Sequence, residues 1–131
     1  MNYIIRLKKG NDLKKEIYNF VKEKNIEAGI VKCAVGCVSE VHFRLASGVN
    51  YLHKKGNFEI VSLMGTVSKN GGHIHISVAG EDGNVIGGHL KEGCIVNTTT
   101  EICIESFENY KFDRVFDNNT GYRELVIHKV S

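Results

Sequence analysis

The sequence predicts an α+β fold: a mainly antiparallel, curled sheet of about eight strands with one principal helix. Three observations carry that expectation. Only one stretch, residues 13–21, repeats its apolar side chains at helical spacing. From Ala28 onward the chain alternates apolar with polar residues or runs through β-branched ones, broken by Gly, Asn and Asp clusters. Residues 71–90 read as two short strands joined by an Asp82-Gly83 turn, and they hold three of the six histidines.

Residues 3–8 alternate weakly and open the chain as a strand. Gly10, Asn11 and Asp12 then supply N-cap chemistry. Leu13, Ile17, Phe20 and Val21 fall at i, i+4, i+7 and i+8, the apolar stripe of an amphipathic helix. Asn25 is placed to end it in the left-handed conformation, with Ile26 closing over the end. The lysines of this segment lie largely off the stripe, as on a solvated face.

Residues 30–38 are small and apolar and are expected as a buried strand. Over 40–45 the alternation is clean, with Val41, Phe43 and Leu45 inward and Glu40, His42 and Arg44 outward. Residues 47–50 and 54–57 have loop composition, and 58–67 form another strand that a turn at 69–72 leads into the histidine segment. Residues 94–107 are long and β-branched, and Thr98-Thr99-Thr100 favours strand over helix. Residues 110–116 and 122–130 close the fold on either side of a polar turn.

At 131 residues, 42% hydrophobic and 24% charged, the chain is expected to be one globular domain over residues 1–131. No run approaches the ~20 apolar residues of a membrane span, and the first residues lack the apolar core of a secretory signal. A cytoplasmic location is the resulting expectation. Cys33, Cys37, Cys94 and Cys103 then serve as reduced, small buried hydrophobes, since no C-x-x-C pair marks a zinc site. The net charge is +2, and Glu16, Glu23 and Glu27 dilute the lysines, a weaker basic stripe than a dedicated nucleic-acid binder shows. No phosphate loop or dinucleotide fingerprint is present.

The chemistry concentrates in the histidine segment. On a strand, His73, His75 and Ser77 share one face and Ile74, Ile76 and Val78 the other, which is the core face. The place of His89 depends on the turn. A two-residue loop at Asp82-Gly83 sets Ile76 opposite His89, so His89 points away. A three-residue loop, Glu81-Asp82-Gly83 with Gly83 left-handed, pairs Gly80 with Asn84 and sets His75 opposite His89. Directly opposed Cβ atoms lie ~5 Å apart, a range that converges on one metal ion. A bulge at Gly87-Gly88 is the other way to reach that register. Three neutral imidazoles with an open position form the catalytic type of zinc arrangement. Glu59 and Glu101, each in a strand with mostly apolar neighbours, are candidates for a fourth ligand, an outer partner or a general base. The competing role for both is a salt bridge to Arg6, Arg44 or Arg123, and for the histidines hydrogen bonding within an interface.

The run Gly56-Asn57-Phe58-Glu59-Ile60-Val61-Ser62-Leu63-Met64-Gly65-Thr66 carries a resemblance, together with His73-Ile74-His75, Asp82-Gly83 and Gly87-Gly88-His89-Leu90. Thr100-Glu101-Ile102-Cys103-Ile104 and Thr120-Gly121-Tyr122-Arg123-Glu124-Leu125 extend it over essentially the whole chain. The chain resembles the plants and prokaryotes conserved domain in its small stand-alone form. That resemblance implies a homotrimer and a DNA-binding or transcription-associated role. An AT-hook needs an Arg-Gly-Arg-Pro core and these residues include no proline, so any DNA contact is expected without one. A more distant fold similarity, to acetolactate decarboxylase, implies zinc or another divalent transition metal on an H-x-H pair and a downstream histidine, which His73, His75 and His89 match. The alternative role is then a metal-dependent lyase or hydrolase acting on a small carbonyl or ester compound.

Overall fold

The computed structural model describes residues 1–130. Its elements are β1 (Asn2–Lys8), α1 (Leu13–Glu23), β2 (Gly29–Arg44), β3 (Tyr51–Ser68), β4 (Gly71–Ala79), β5 (Val85–Leu90), β6 (Ile95–Ser106), β7 (Tyr110–Asp117) and β8 (Tyr122–Lys129). One helix and eight antiparallel strands match the expected class. Six strands form a sheet in the order β1-β6-β2-β3-β4-β5, and β7 and β8 form a separate hairpin.

The large sheet curls until its last strand meets its middle. β5 pairs with β4 on one edge and, through Phe43–Leu90 and Arg44–His89, with the end of β2 on the other. Strands β2, β3, β4 and β5 thereby close a small ring. Its interior is filled by Val41 and Phe43 from β2, Leu63 from β3, Ile74 and Ile76 from β4 and Leu90 from β5, all buried. The apolar stripe of α1, Leu13, Ile17 and Val21, is fully buried in the same core.

Local chemistry sets the helix ends. Asp12 Oδ1 accepts the Lys15 N–H at 3.1 Å, while Oδ2 accepts the Gly93 N–H at 2.8 Å. One carboxylate therefore caps α1 and ties it to the loop before β6. Asn25 turns left-handed at φ 52°, and the Ile26 N–H returns to the Val21 carbonyl at 3.0 Å. Asp12→Ala is expected to cost about 1–2 kcal/mol of stability, read from the urea midpoint at unchanged slope.

Two expectations are corrected. Residues 54–57 are not a loop: β3 runs through them, paired to β2 at Lys54–Val41 and Lys55–Glu40. The register shifts between Val38 and Glu40, so Gly56 and Asn57 occupy a bulge. Their polar, small composition serves a kink in a long strand. The buried-strand reading of 30–38 and its cysteines also holds only in part, because alternate residues of β2 face outward. Val35 is 60% exposed and Cys33 is exposed; among the four thiols only Cys94 is buried, its thiol pushed up to about 11 by burial. Ile4, Val61 and Met64 are likewise more than half exposed, so the sheet presents apolar residues outward.

The β7–β8 hairpin is anchored at its start. The Phe112 N–H donates to the Glu27 carbonyl at 2.9 Å, and Ser68 Oγ donates to the Phe112 carbonyl at 3.3 Å. This attachment lays β7 beside β3 and β4 and carries its arginine toward the histidine segment.

Candidate metal centre

The loop that decides the site is the three-residue one. The Gly80 N–H donates to the Asn84 carbonyl at 3.0 Å, Gly83 is left-handed at φ 82°, and Asp82 Oδ1 accepts the Asn84 N–H at 2.9 Å. His75 therefore lies directly opposite His89, with no bulge between. One ring nitrogen from each of His73, His75 and His89 falls within 4.8 Å of the others. The His73 and His75 Nε2 atoms are 3.0 Å apart. Nitrogens on one tetrahedral zinc stand about 3.3 Å apart for Zn–N bonds of about 2.0–2.1 Å, so the trio brackets the spacing such an ion needs.

The glycines beside the histidines bring strands together. A Cβ on Gly65 of β3 would lie 2.1 Å from the His73 carbonyl oxygen, and one on Gly87 of β5 would lie 2.2 Å from that of Ile76. One on Gly88 would lie 2.5 Å from the Arg44 carbonyl oxygen. Gly87 and Gly88 thus let β5 fit between β4 and β2 and close the ring.

The electrostatics keep His73 and His89 ready to donate lone pairs. Withdrawal from solvent, then the Arg44 charge and the other two imidazoles, lower His89 from 6.5 to about 4. His73 is lowered by desolvation first, then by His75 and Arg114. Both are neutral at pH 7, as ligands must be. Among the described residues the buried Nδ1 of His89 has no hydrogen-bond partner.

These shifts set a pH dependence for the metal-free protein. Unfolded His89 takes up its proton near 6.5 and folded His89 near 4, so between those values the unfolded state binds more protons. Stability is expected to be full above pH 6.5 and to decline as pH falls toward 4. Thermal melting of chelator-treated protein from pH 7 to 5 measures this, and His89→Gln is expected to flatten the decline.

Glu59 and Glu101 are not brought to the cluster within the subunit. Glu59 stands opposite Ala79 and Glu101 opposite Arg6 and Val35, and both are exposed. Neither forms an ion pair among the described residues. The side chains that do surround the cluster come from elsewhere. Thr66, opposite His73, accepts a 2.8 Å hydrogen bond from Arg114 Nη2 of β7. Arg44 stands opposite His89, and its Cζ lies 5.5 Å from the centre of the Tyr122 ring of β8. One cleft of about 430 Å³ runs along Ser62, Met64, Thr66, His73 and His75, and another of about 540 Å³ lies between Arg44, His89 and Tyr122. The outward alternation of β2 marked Arg44 as a surface residue; only the hairpin folding back adds Arg114 and Tyr122, and no local pattern announces that.

Among known proteins, the family model described as the Plants and Prokaryotes Conserved domain matches residues 1–108. The bifunctional protein GlmU of Synechococcus sp. (strain JA-3-3Ab) is 40% identical over 129 residues, 98% of this chain and 21% of that protein. The chain thus spans about a fifth of the length of this curated relative. A protein structure from Salmonella cholerae-suis superposes with a TM-score of 0.95 at 31% identity, covering 98% of this chain and 94% of that one. A structure described as a metal-containing protein from Archaeoglobus fulgidus gives 0.78 at 30% identity, with 96% and 93% covered. A Staphylococcus aureus protein of unknown function, described as similar to α-acetolactate decarboxylase, shares the fold alone, with a TM-score of 0.54 and 14% identity over 81% of this chain and 52% of that one. The histidine hairpin and the ring it closes are therefore set in a chain that belongs to the plants and prokaryotes conserved domain family.

Proposed function

We propose that this protein holds one zinc or other divalent transition metal on His73, His75 and His89 and acts through it as a homotrimer. The observation that carries the reading is the convergence of three ring nitrogens within 4.8 Å on an outer face of the ring. The description of the Archaeoglobus relative as metal-containing supports it. A divalent metal there supplies Lewis-acid chemistry, and three protein ligands leave a position for another molecule. The chain's own contribution is to fix the three donors on paired strands and to leave clefts on either side. This arrangement favours the enzymatic role, a lyase or hydrolase acting on a small carbonyl or ester compound, over a structural metal. The homotrimer is supported by the outward apolar residues, Ile4, Val35, Val61 and Met64, which are 74%, 60%, 56% and 60% exposed in the single subunit.

Association with DNA, implied by the family resemblance, is the weaker reading. On α1 the cations Lys14, Lys15 and Lys22 alternate with Glu16 and Glu23, and the net charge is only +2. The 131 residues contain no proline and hence no AT-hook core.

Elemental analysis of protein purified without a histidine tag or chelator tests the metal reading. About one transition metal per chain is expected from a three-ligand site. A clean absence that persists after zinc is added back overturns it and returns the histidines to an interface.

A further inference from the structure

We infer that the cleft between Arg44 and His89 is a docking site for a small organic carboxylate, its charged end on the Arg44 guanidinium and its next oxygen toward the histidine cluster. The inference deepens the metal-centre reading and rests on it for the second half of that statement; the Arg44 contact stands on its own geometry.

Arg44 ends β2 directly opposite His89, which places the two Cβ atoms about 5 Å apart on one face. It is half-buried, yet no carboxylate stands within ion-pairing distance of it among the described residues. A half-buried guanidinium without a counter-ion favours an anion from outside. Its Cζ lies over the Tyr122 ring, 5.5 Å from the ring centre. The N–H fork of a guanidinium suits a flat, two-oxygen acceptor, the geometry of a carboxylate.

The cleft is built around that arginine. It encloses about 540 Å³, within the range of small-molecule sites, and no acidic side chain lines it. Gly48 forms part of its rim at φ 70°, where a Cβ would lie 2.9 Å from the Tyr122 hydroxyl. A larger residue there crowds both the Tyr122 hydroxyl and Arg44, whose Nε would lie 3.7 Å from that Cβ.

Charge also distinguishes the two ends of the cluster. At the His73 end, Arg114 and Glu124 of the hairpin act on the ring with opposite signs, Arg114 the more strongly. The His89 end faces Arg44, with Lys14 adding further positive charge. An anionic ligand is drawn to the His89 end, whose cleft carries no acidic side chain. A single negative charge shared by two coplanar oxygens matches one guanidinium.

Calorimetric titration of zinc-loaded protein with glycolate tests the inference. Saturable binding is expected, weakened about tenfold or more by Arg44→Gln at unchanged zinc content. Neutral methyl glycolate is expected to bind wild type and Arg44→Gln alike. Equal glycolate affinity in both proteins, or no saturable binding by wild type, overturns the site. Should Arg44→Gln fail to fold, Arg44→Lys takes its place, with the same expected direction and the same overturning result. If the protein takes up no zinc, the metal reading has failed separately. Glycolate titrated into metal-free protein then decides: binding that Arg44→Gln abolishes upholds the carboxylate site, and no binding overturns it too.

Discussion

His75→Ala is expected to empty the proposed metal centre while leaving the fold in place. His75 is the middle member of the trio, 3.0 Å from His73 through the Nε2 atoms and directly opposite His89. Its removal leaves two imidazoles, and two donors do not hold zinc against a competing chelator. The loss exceeds the ~10–100-fold that follows from removing even an outer-shell partner. Metal per chain should fall from about one to below about a tenth at equal protein concentration. The side chain is exposed and packs in no core, so the change in intrinsic stability should stay within about 0.5 kcal/mol. Melting with and without added zinc separates the two effects. Wild type should gain stability from the ion by linkage, and His75→Ala should gain none. Unchanged metal content in the variant would show that the ion sits elsewhere.

The second large effect is expected at Gly65. Its missing Cβ would lie 2.1 Å from the His73 carbonyl oxygen and 2.7 Å from the Ile74 Cα. Both are backbone atoms of β4, so no side chain can swing aside. Gly65→Ala must spread β3 from β4 beside His73. A cost of about 3 kcal/mol or more is expected, at the upper end for overpacking, with a fall of roughly 10 °C in melting temperature. Zinc affinity should weaken as well, because His73 rides on the displaced segment. Gly83→Ala is the informative comparison, since nothing lies within 4 Å there and only the left-handed φ of 82° is strained. That change should cost about 1–2 kcal/mol. A Gly65→Ala variant no less stable than Gly83→Ala would contradict the tight β3–β4 approach.

Much of this arrangement was legible in the residues themselves. Asp12, Leu13, Ile17, Val21 and Asn25 specify the helix because capping, periodicity and a left-handed stop are local properties. The His75–His89 register was legible as one of two alternatives, because strand parity and the conformation of Gly83 are coupled. What was not legible depends on partners far along the chain. Gly56 and Asn57 look like a loop until β2 is laid alongside and makes them a bulge. Cys33 looks buried until its face of β2 is seen to be the outward one. Tyr122 and Arg114 reach the site only because Phe112 anchors the hairpin on the segment before β2.

Ring closure makes the placement of His89 a matter of parity read twice. β5 is six residues long and is held by β4 on one side and β2 on the other, with His89 outward and Leu90 inward. A slip of one residue would carry an imidazole into the apolar interior and a leucine out to solvent, and it would have to break both ladders at once. Insertions between Gly80 and Asn84 are therefore harmless only when they bulge out as loop and leave that parity untouched. The cluster works as a checksum on the barrel, so a variant that still gathers the three histidines has closed its ring in the native register.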